Sequence, residues 1–480
     1  MSYQYRQWID GQWCGAKNGT TWDVLNPATE EVVRTVPFGD AEDCRAALAA
    51  AARAFPAWSQ KTAYERAAFL KRAADLIRER SAELARTTVA ESGKPLAQAK
   101  GEWGVAADLF EWFAEEAKRA YGRWVPSRNA AKRQLVIKQP VGVVGLITAW
   151  NFPAYNVARA GAAALAAGCT VVIRPSEYTP LTAMEMVNIL VETGLESGVV
   201  NLINGEPHSM GQEMLRNPDC AKIHFTGSPR VGKLLMDGAS QTLTRLSLEL
   251  GGNAPVLIFP DVDVERLAAS AVTAKFRNGG QVCISPQRFF VHREIAASFT
   301  ERATAIVSKL QVGDGLEPRT DIGPLINARQ RDHVEQLVGA AKSSGAEVTT
   351  GGRRPPSKPR GYFFEPTVVT NLDAEAPMIQ SEIFGPILPI VQFRDADEVI
   401  AHANRTRYGL SAYVWTNDLR TAMRTAERLE FGMIGVNDWA PQSTEVPFAG
   451  WKESGMGRES GAEGLEEYLE TKLIAFGGMP

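Results

Sequence analysis

A single thiol, Cys283, stands in the stretch RNGGQVCISPQR, behind two glycines and a glutamine and with no histidine close by. A cysteine in such a place is either a small apolar core residue or a nucleophile that needs a base and an oxyanion site nearby. Two further stretches carry groups of that kind. SLELGGNAP sets Glu249 at an expected strand end, between leucines and ahead of two glycines. A carboxyl there is either a salt-bridged structural group or one raised by partial desolvation to a useful base. TAWNFPAYN sets Asn151 between an apolar strand and Pro153, where its amide either receives an oxyanion at a loop mouth or forms the Asx-turn of the next helix. A fourth stretch, HFTGSPRVGKLL, puts Gly227 and Gly232 after an expected strand and at the start of a helix. Backbone N–H groups and the helix dipole can take a phosphate there, and a plain strand-turn-helix has the same spacing. The stretch nearly spells G-x-x-x-x-G-K-[ST], but Leu234 stands where the magnesium-binding hydroxyl belongs, and it is not G-x-G-x-x-G.

These stretches need elements to hold them. Asp40 is placed to cap a helix over AEDCRAALAAAARAF, and Thr62 with Glu65 makes a capping box before a second, which Gly93 and Pro95 end. GEWGVAADLFEWFAEEAKRAYG reads as a third helix, followed by polar RWVPSRNAAKRQ and an alternating strand, QLVIKQP. From residue 141, short β-rich runs (VGVVGLITAW, TVVIRPS, GVVNLING, AKIHFTG, LSLELGG) alternate with helical segments, the pattern of a parallel sheet covered on both faces. A second such series runs from NAPVLIFP through RFFVHR, PILPIVQF, LSAYVWT and GMIGVN. TTGGRRPPSKPRGYF reads as a surface loop, and the tail EEYLETKLIAFGG ends in a strand with no obvious partner nearby.

A chain of 480 residues is too long for one compact core and calls for two or three domains. Its 52 Lys and Arg nearly balance 55 Asp and Glu, so no global field points to nucleic acid or an acidic membrane. Neither a signal segment nor a long uncharged apolar run is present, and the expectation is a cytoplasmic protein. Cys14, Cys44, Cys169, Cys220 and Cys283 are scattered and never spaced C-x-x-C, which indicates neither a disulfide framework nor a metal site.

WNFP, FTGS, LELGG, GGQVC and EIFGP, in that order over about 230 residues, together with PFAGWKESGMGRE near the C-terminus, resemble the NAD(P)-dependent aldehyde dehydrogenase superfamily along essentially the whole chain. The resemblance implies an α/β fold of two doubly wound parallel-sheet domains plus a small β oligomerisation extension. It divides the chain into residues 1–122 with 141–250 (dinucleotide-binding), 251–440 (catalytic), and 123–140 with 465–480 (the extension). Cys283 then matches the nucleophile that attacks an aldehyde, giving a thiohemiacetal and, after hydride transfer, a thioester. Glu249 matches the base that activates the hydrolytic water, and Asn151 with the Cys283 N–H the oxyanion hole. Ser228 and Trp150 match pyrophosphate contacts, and Gly227, Gly232 and Leu250 fall in the cofactor site. Glu382 matches the acid on the nicotinamide ribose, with Phe384 beside it. In IRPSE, Arg174 stands where relatives usually carry lysine, near Ser176, and Glu177 is placed for the adenosine ribose. A carboxylate there favours NAD, while a guanidinium suits the phosphate of NADP. Ala160 replaces a lysine that in many relatives shares a proton path with the glutamate matched here by Glu459.

Arg159, eight residues beyond Asn151, and Arg277, six before Cys283, match the arginines with which succinate-semialdehyde dehydrogenases bind the substrate carboxylate, and Ser443 lies in the loop that adds a hydroxyl. Two guanidiniums near an acyl-forming thiol select an aldehyde with an anionic far end. The alternatives are structural: Arg159 lying on a helix and pairing with an acid, and Arg277 ending a helix as a favourable cation. The expected reaction is oxidation of succinate semialdehyde to succinate. Other readings are glutarate semialdehyde, a broad-specificity or betaine-type activity, and a non-catalytic binding member. Ser285 stands where some relatives have a second, redox-switching cysteine. The partners implied are a small aldehyde and further copies of the chain, as a homodimer or homotetramer.

Overall fold

The computed structural model describes residues 5–478; residues 1–4 and 479–480, which fall in the expected terminal units, lie outside the described residues. The first α/β series forms a sheet whose parallel strands run in spatial order Val200–Leu202, Thr170–Arg174, Val143–Ile147, Cys220–Thr226, Arg245–Glu249. Numbered along the chain, that order is 3-2-1-4-5, the doubly wound arrangement whose direction of winding reverses between the first and fourth strands. Loops leaving the carboxyl ends of those two strands diverge there and open a crevice. Trp150 and Asn151 stand in one of them and Gly227 and Ser228 in the other.

The central strands are apolar throughout because helices cover both faces. The Pro153–Ala167 helix is almost wholly buried, and it is rich in alanine because it is enclosed by the Ala63–Ser92 and Leu96–Glu116 helices and the sheet. Asp40 caps the Ala41–Gln60 helix through the Glu42 N–H, and Thr62 with Glu65 closes the expected capping box. Gly93 ends that second helix at φ +75°, a conformation that glycine adopts without strain.

The second series forms a seven-stranded sheet in the order Glu347–Thr350, Thr367–Thr370, Ile387–Phe393, Pro286–His292, Ala254–Ile258, Ser411–Trp415, Met433–Val436. All pairs are parallel except at the Glu347–Thr350 edge. The α/β expectation therefore holds for both series. Cys283 precedes Pro286–His292, so the thiol sits at the amino end of this sheet, across from the carboxyl end of the first.

Two features had no sequence signal. An N-terminal hairpin, Gln7–Ile9 with Gln12–Cys14, extends the first sheet antiparallel to Val200–Leu202. A two-residue strand, Gly455–Met456, closes its other edge against Leu248 and Glu249. The tail strand Leu469–Phe476 finds its partner within the same chain: it pairs along its length with Arg133–Pro140, which also pairs with Arg123–Val125. No helix among the described residues is long and apolar enough to cross a membrane.

Candidate active site

A cavity of about 800 Å³ lies where the two sheets face each other. Twelve of the residues singled out in sequence line it: Trp150, Asn151, Arg159, Gly227, Ser228, Glu249, Leu250, Arg277, Cys283, Glu382, Phe384 and Ser443. Arg174, Ser176, Glu177 and Gly232 do not.

Cys283 is presented by a tight turn. The Val264–Phe276 helix stops at Arg277, and Asn278, Gly279 and Gly280 follow with φ of 50°, 61° and 75°. Three successive left-handed residues are rare, and glycine makes two of them inexpensive. A side chain at Gly280 would meet the Gly385 carbonyl at 2.1 Å, and one at Gly252 would meet the Cys283 carbonyl at 2.5 Å. Asn278 holds the turn: its N–H donates to Gln98 Oε1 at 2.8 Å and its Nδ2 to the Asn151 carbonyl at 3.0 Å. The Cys283 N–H is engaged by no backbone carbonyl.

Asn151 is positioned from several sides. Its Nδ2 donates to the Gln281 carbonyl at 3.2 Å, and Asn156 Nδ2 reaches its Oδ1 at 3.5 Å. With oxygen and nitrogen oriented in this way, one amide N–H remains for a ligand. Its backbone carbonyl accepts from Lys94 Nζ at 2.8 Å, and Lys94 is ion-paired with Glu102 in full burial. Glu102 in turn accepts the Ala154 N–H, 2.8 Å away, at the start of the Pro153–Ala167 helix. Sequence reading missed Lys94, Glu102 and Asn278. They lie 57, 49 and 127 positions from Asn151; nothing local marks Lys94 or Glu102, and Asn278 stands beside the two glycines before Cys283.

Glu249 ends its strand 4% exposed, with Oε1 unpartnered. Burial raises its carboxyl well above the usual range and the nearby Glu459 adds to this, while Arg159 and the Cys283 thiol, a donor to it, oppose. Burial also pushes the Cys283 thiol up, again with Glu249 adding to the effect. Acid and thiol are therefore both harder to ionise than in water, and a carboxyl poised in this way against a thiol suits a base acting on a nucleophile or on water.

Arg159, which also lines the cavity, is 2% exposed. Its Nη2 lies 2.7 Å from Glu459 Oε2, while Nε and Nη1 have no partner. Its guanidinium lies 4.2 Å from the Phe448 ring centroid and 4.6 Å from that of Tyr155. The acid considered as a structural partner thus exists, in another segment, and two donors remain beyond it. Arg277 is exposed, with its guanidinium over Phe152 and no ion-pair partner among the described residues. Ser443 bonds Glu445, whose carboxylate it helps to hold low. Tyr155, Phe448 and Glu445 had no sequence signal either.

Other residues of the lining suit a dinucleotide. Ser228 caps the Pro229–Ala239 helix beside Gly227, and the cavity opens onto this helix start, a site for pyrophosphate oxygens. A side chain at Gly232 would run into Leu250 at 2.8 Å, so its bareness serves helix packing. Trp150 and Phe384 meet edge to face, with ring centroids 5.5 Å apart. Glu382 accepts the Gly252 N–H at 3.0 Å, and burial lifts its carboxyl to about 7. Thr226 Oγ1 and Glu249 Oε1 are buried, unpartnered polar atoms along the same wall. Arg174 donates to Glu177 Oε2 at 2.9 Å and to the Gly205 carbonyl at 2.7 Å, outside the cavity lining.

The family described as "Aldehyde dehydrogenase family" matches residues 13–474. The chain is 42% identical to succinate-semialdehyde dehydrogenase [NADP(+)] GabD of Escherichia coli (strain K12), over 98% of this chain and 97% of that protein. It is also 42% identical to glutarate-semialdehyde dehydrogenase of Pseudomonas aeruginosa, over 99% and 98% of the two chains. A solved structure of betaine aldehyde dehydrogenase from Staphylococcus aureus in complex with NAD+ superposes with a TM-score of 0.97 at 37% identity, over 100% of this chain and 96% of that one.

Proposed function

The chain belongs to the aldehyde dehydrogenase family, and from that premise we propose that it oxidises succinate semialdehyde to succinate with NAD, at Cys283. The observation that carries the substrate reading is that two cationic groups line the Cys283 cavity: Arg277, without an ion-pair partner among the described residues, and Arg159, with two buried, unpartnered nitrogens. Buried donors without partners are costly, and a carboxylate supplies what they lack.

The Cys283 thiol passes its proton to the Glu249 carboxylate, which returns it to solvent, and the sulfur attacks the aldehyde carbon; the oxyanion of the resulting thiohemiacetal takes the Asn151 amide N–H and the Cys283 N–H. Bound NAD or NADP supplies the hydride acceptor, which leaves a thioester on Cys283. Glu249 then takes a proton from water as the water attacks the thioester, releasing the acid and restoring the thiol. Gly227, Ser228, Trp150, Leu250, Glu382 and Phe384 would hold the dinucleotide. Arg174 ties Glu177 down rather than standing free for a 2′-phosphate, which supports NAD over NADP.

The panel that tests this reading compares kcat/KM for succinate semialdehyde and propanal. Arg277→Ala is expected to lower the first by roughly 10- to 100-fold, the worth of a hydrogen bond to a charged group, and to leave the second unchanged. Equal kcat/KM for the two aldehydes in wild type would remove the carboxylate reading. Glutarate semialdehyde is the second reading, because the chain is 42% identical to a glutarate-semialdehyde dehydrogenase and one methylene more is worth only about 1–3 kcal/mol.

Glu249→Gln is expected to release about one NADH per site in a burst and then to slow by roughly 10²- to 10⁴-fold, because hydride transfer precedes the step that needs the base. Steady turnover at the wild-type rate would assign the base elsewhere. The three-stranded sheet around Arg133–Pro140 exposes Trp124 at 60%, Leu473 at 60% and Phe476 at 44%, which supports its use as a contact between copies of the chain. Five free cysteines suit the reducing cytoplasm.

A further inference from the structure

Behind Arg159 lies a buried set of titratable groups that the reaction as written leaves unused. Glu459 sits between Arg159 and His224, its oxygens 2.7 Å from Arg159 Nη2 and 2.6 Å from His224 Nε2. The other ring nitrogen, Nδ1, is 3.0 Å from the Tyr468 hydroxyl. His224, Glu459 and Tyr468 are 1%, 6% and 2% exposed, so the Glu459 carboxylate acts on its neighbours with little screening. His224 shares a strand face with Thr226, two residues on, and Thr226 is the register partner of Glu249. The histidine therefore stands one side chain behind the carboxyl that faces the thiol.

The groups around this set come from every element packed on it. Glu249 faces Glu459, Arg159, Cys283 and Glu382. Tyr468 faces Glu459, Glu467, Cys169 and Arg159, while Lys222, on the strand of His224, pairs with Glu467. Ala160, buried on the Arg159 helix, contributes no charge. Arg159 and His224 are thus the positive or polar groups that meet the Glu459 carboxylate.

We propose that His224 is a positioning residue for the reaction: it holds the Glu459 carboxylate between itself and Arg159 and so limits the negative charge that Glu249 faces. The inference rests on Glu249 acting as the base. Burial opposes ionisation of Glu459, but Arg159 first and His224 second hold its carboxyl below the usual range. Without His224, Arg159 keeps Glu459 ionised but compensates it from one side only. The carboxylate of Glu249 then meets more negative potential and takes up its proton at higher pH.

The test needs neither dinucleotide nor a substrate carboxylate. With p-nitrophenyl acetate, the Cys283 sulfur displaces p-nitrophenolate to form an acetyl thioester, and water releases acetate and restores the thiol. Decay of the acetyl-enzyme is followed against pH. In His224→Leu the pH of half-maximal deacylation is expected to rise by about one unit, a tenfold change in proton concentration. In His224→Gln, whose amide keeps an N–H within reach of Glu459, it rises less. An unmoved or lowered midpoint in His224→Leu, in a protein of wild-type Tm, overturns the proposal, as does an equal rise in both variants. Should the leucine variant not fold, the glutamine variant decides alone: a raised midpoint supports the proposal and an unmoved or lowered one overturns it. Glu249→Gln separates the two readings. If its deacylation keeps the wild-type pH dependence, the base assignment has failed; if that dependence vanishes while His224→Leu stays unmoved, only the role of His224 has failed.

Discussion

Cys283→Ala is expected to lower aldehyde oxidation by roughly five to six orders of magnitude, the scale on which enzymes lose activity when a covalent nucleophile is removed, while dinucleotide binding changes by less than about twofold. The two readouts part because the thiol and most of the dinucleotide side belong to different sheets, and Glu382, which leads into the second, is held by the Gly252 N–H rather than by the sulfur. Ser228, Gly227 and Trp150 follow strands of the first, and Cys283 is presented by the turn that enters the second. Nothing in the Asn278 to Gly280 turn depends on the sulfur, whose place alanine fills with one atom fewer, so Tm should stay within a few degrees. A fluorescence titration with NAD beside a rate assay makes the comparison. Oxidation surviving within tenfold would dismiss the nucleophile, and joint loss of both would point to a collapsed site.

The second large effect concerns stability as much as activity. Arg159→Leu leaves the Glu459 carboxylate in a site 6% exposed, with only His224 in contact. Breaking a buried pair from one side costs about 3–5 kcal/mol, most of it the uncompensated charge left behind. The Arg159→Leu protein is therefore expected to lose stability by that amount in urea denaturation. Adding Glu459→Gln removes the stranded charge and should restore most of it. Activity separates the two roles of the arginine. If Arg159 reads the substrate carboxylate, the stable double variant still shows a raised KM for succinate semialdehyde and an ordinary KM for propanal. If the double variant recovers both stability and semialdehyde KM, Arg159 serves the fold alone.

Much of the site was legible because it is made of short, contiguous pieces. The turn before Cys283, the strand end at Glu249 and the loop at Asn151 each combine a local backbone requirement with a reactive side chain. Glycines at 279 and 280 mark the left-handed turn, and Pro153 marks the start of the next helix. The Thr62–Glu65 capping box and the alternation of strand and helix are likewise local, and the expected elements formed.

What stayed hidden involved partners far apart in the chain. Glu102 reads as one more acid on an amphipathic helix, yet it is buried with Lys94 beneath the Asn151 loop. His224 reads as one polar residue in an apolar strand, yet its ring lies between Glu459 and Tyr468, more than 230 positions later. The tail strand looked unpartnered because its partner, Arg133–Pro140, precedes it by over 300 residues. Such pairings follow from sheet order and loop closure, which no local window contains.

By itself, then, the sequence determined the chemistry available to this protein: a thiol on a strained turn, a carboxyl at a strand end, an amide at a loop mouth, and two arginines at set distances from them. Side-chain type and local backbone preference are properties of neighbouring residues, and they survive in any arrangement of the domains. Only the tertiary structure decided which charges meet. It set Arg159 against Glu459, left Arg277 unpaired, tied Arg174 to Glu177, and put His224 behind Glu249. The interaction of two ions depends on their separation and on how much water lies between them, and both are fixed only when the two sheets close on the cavity.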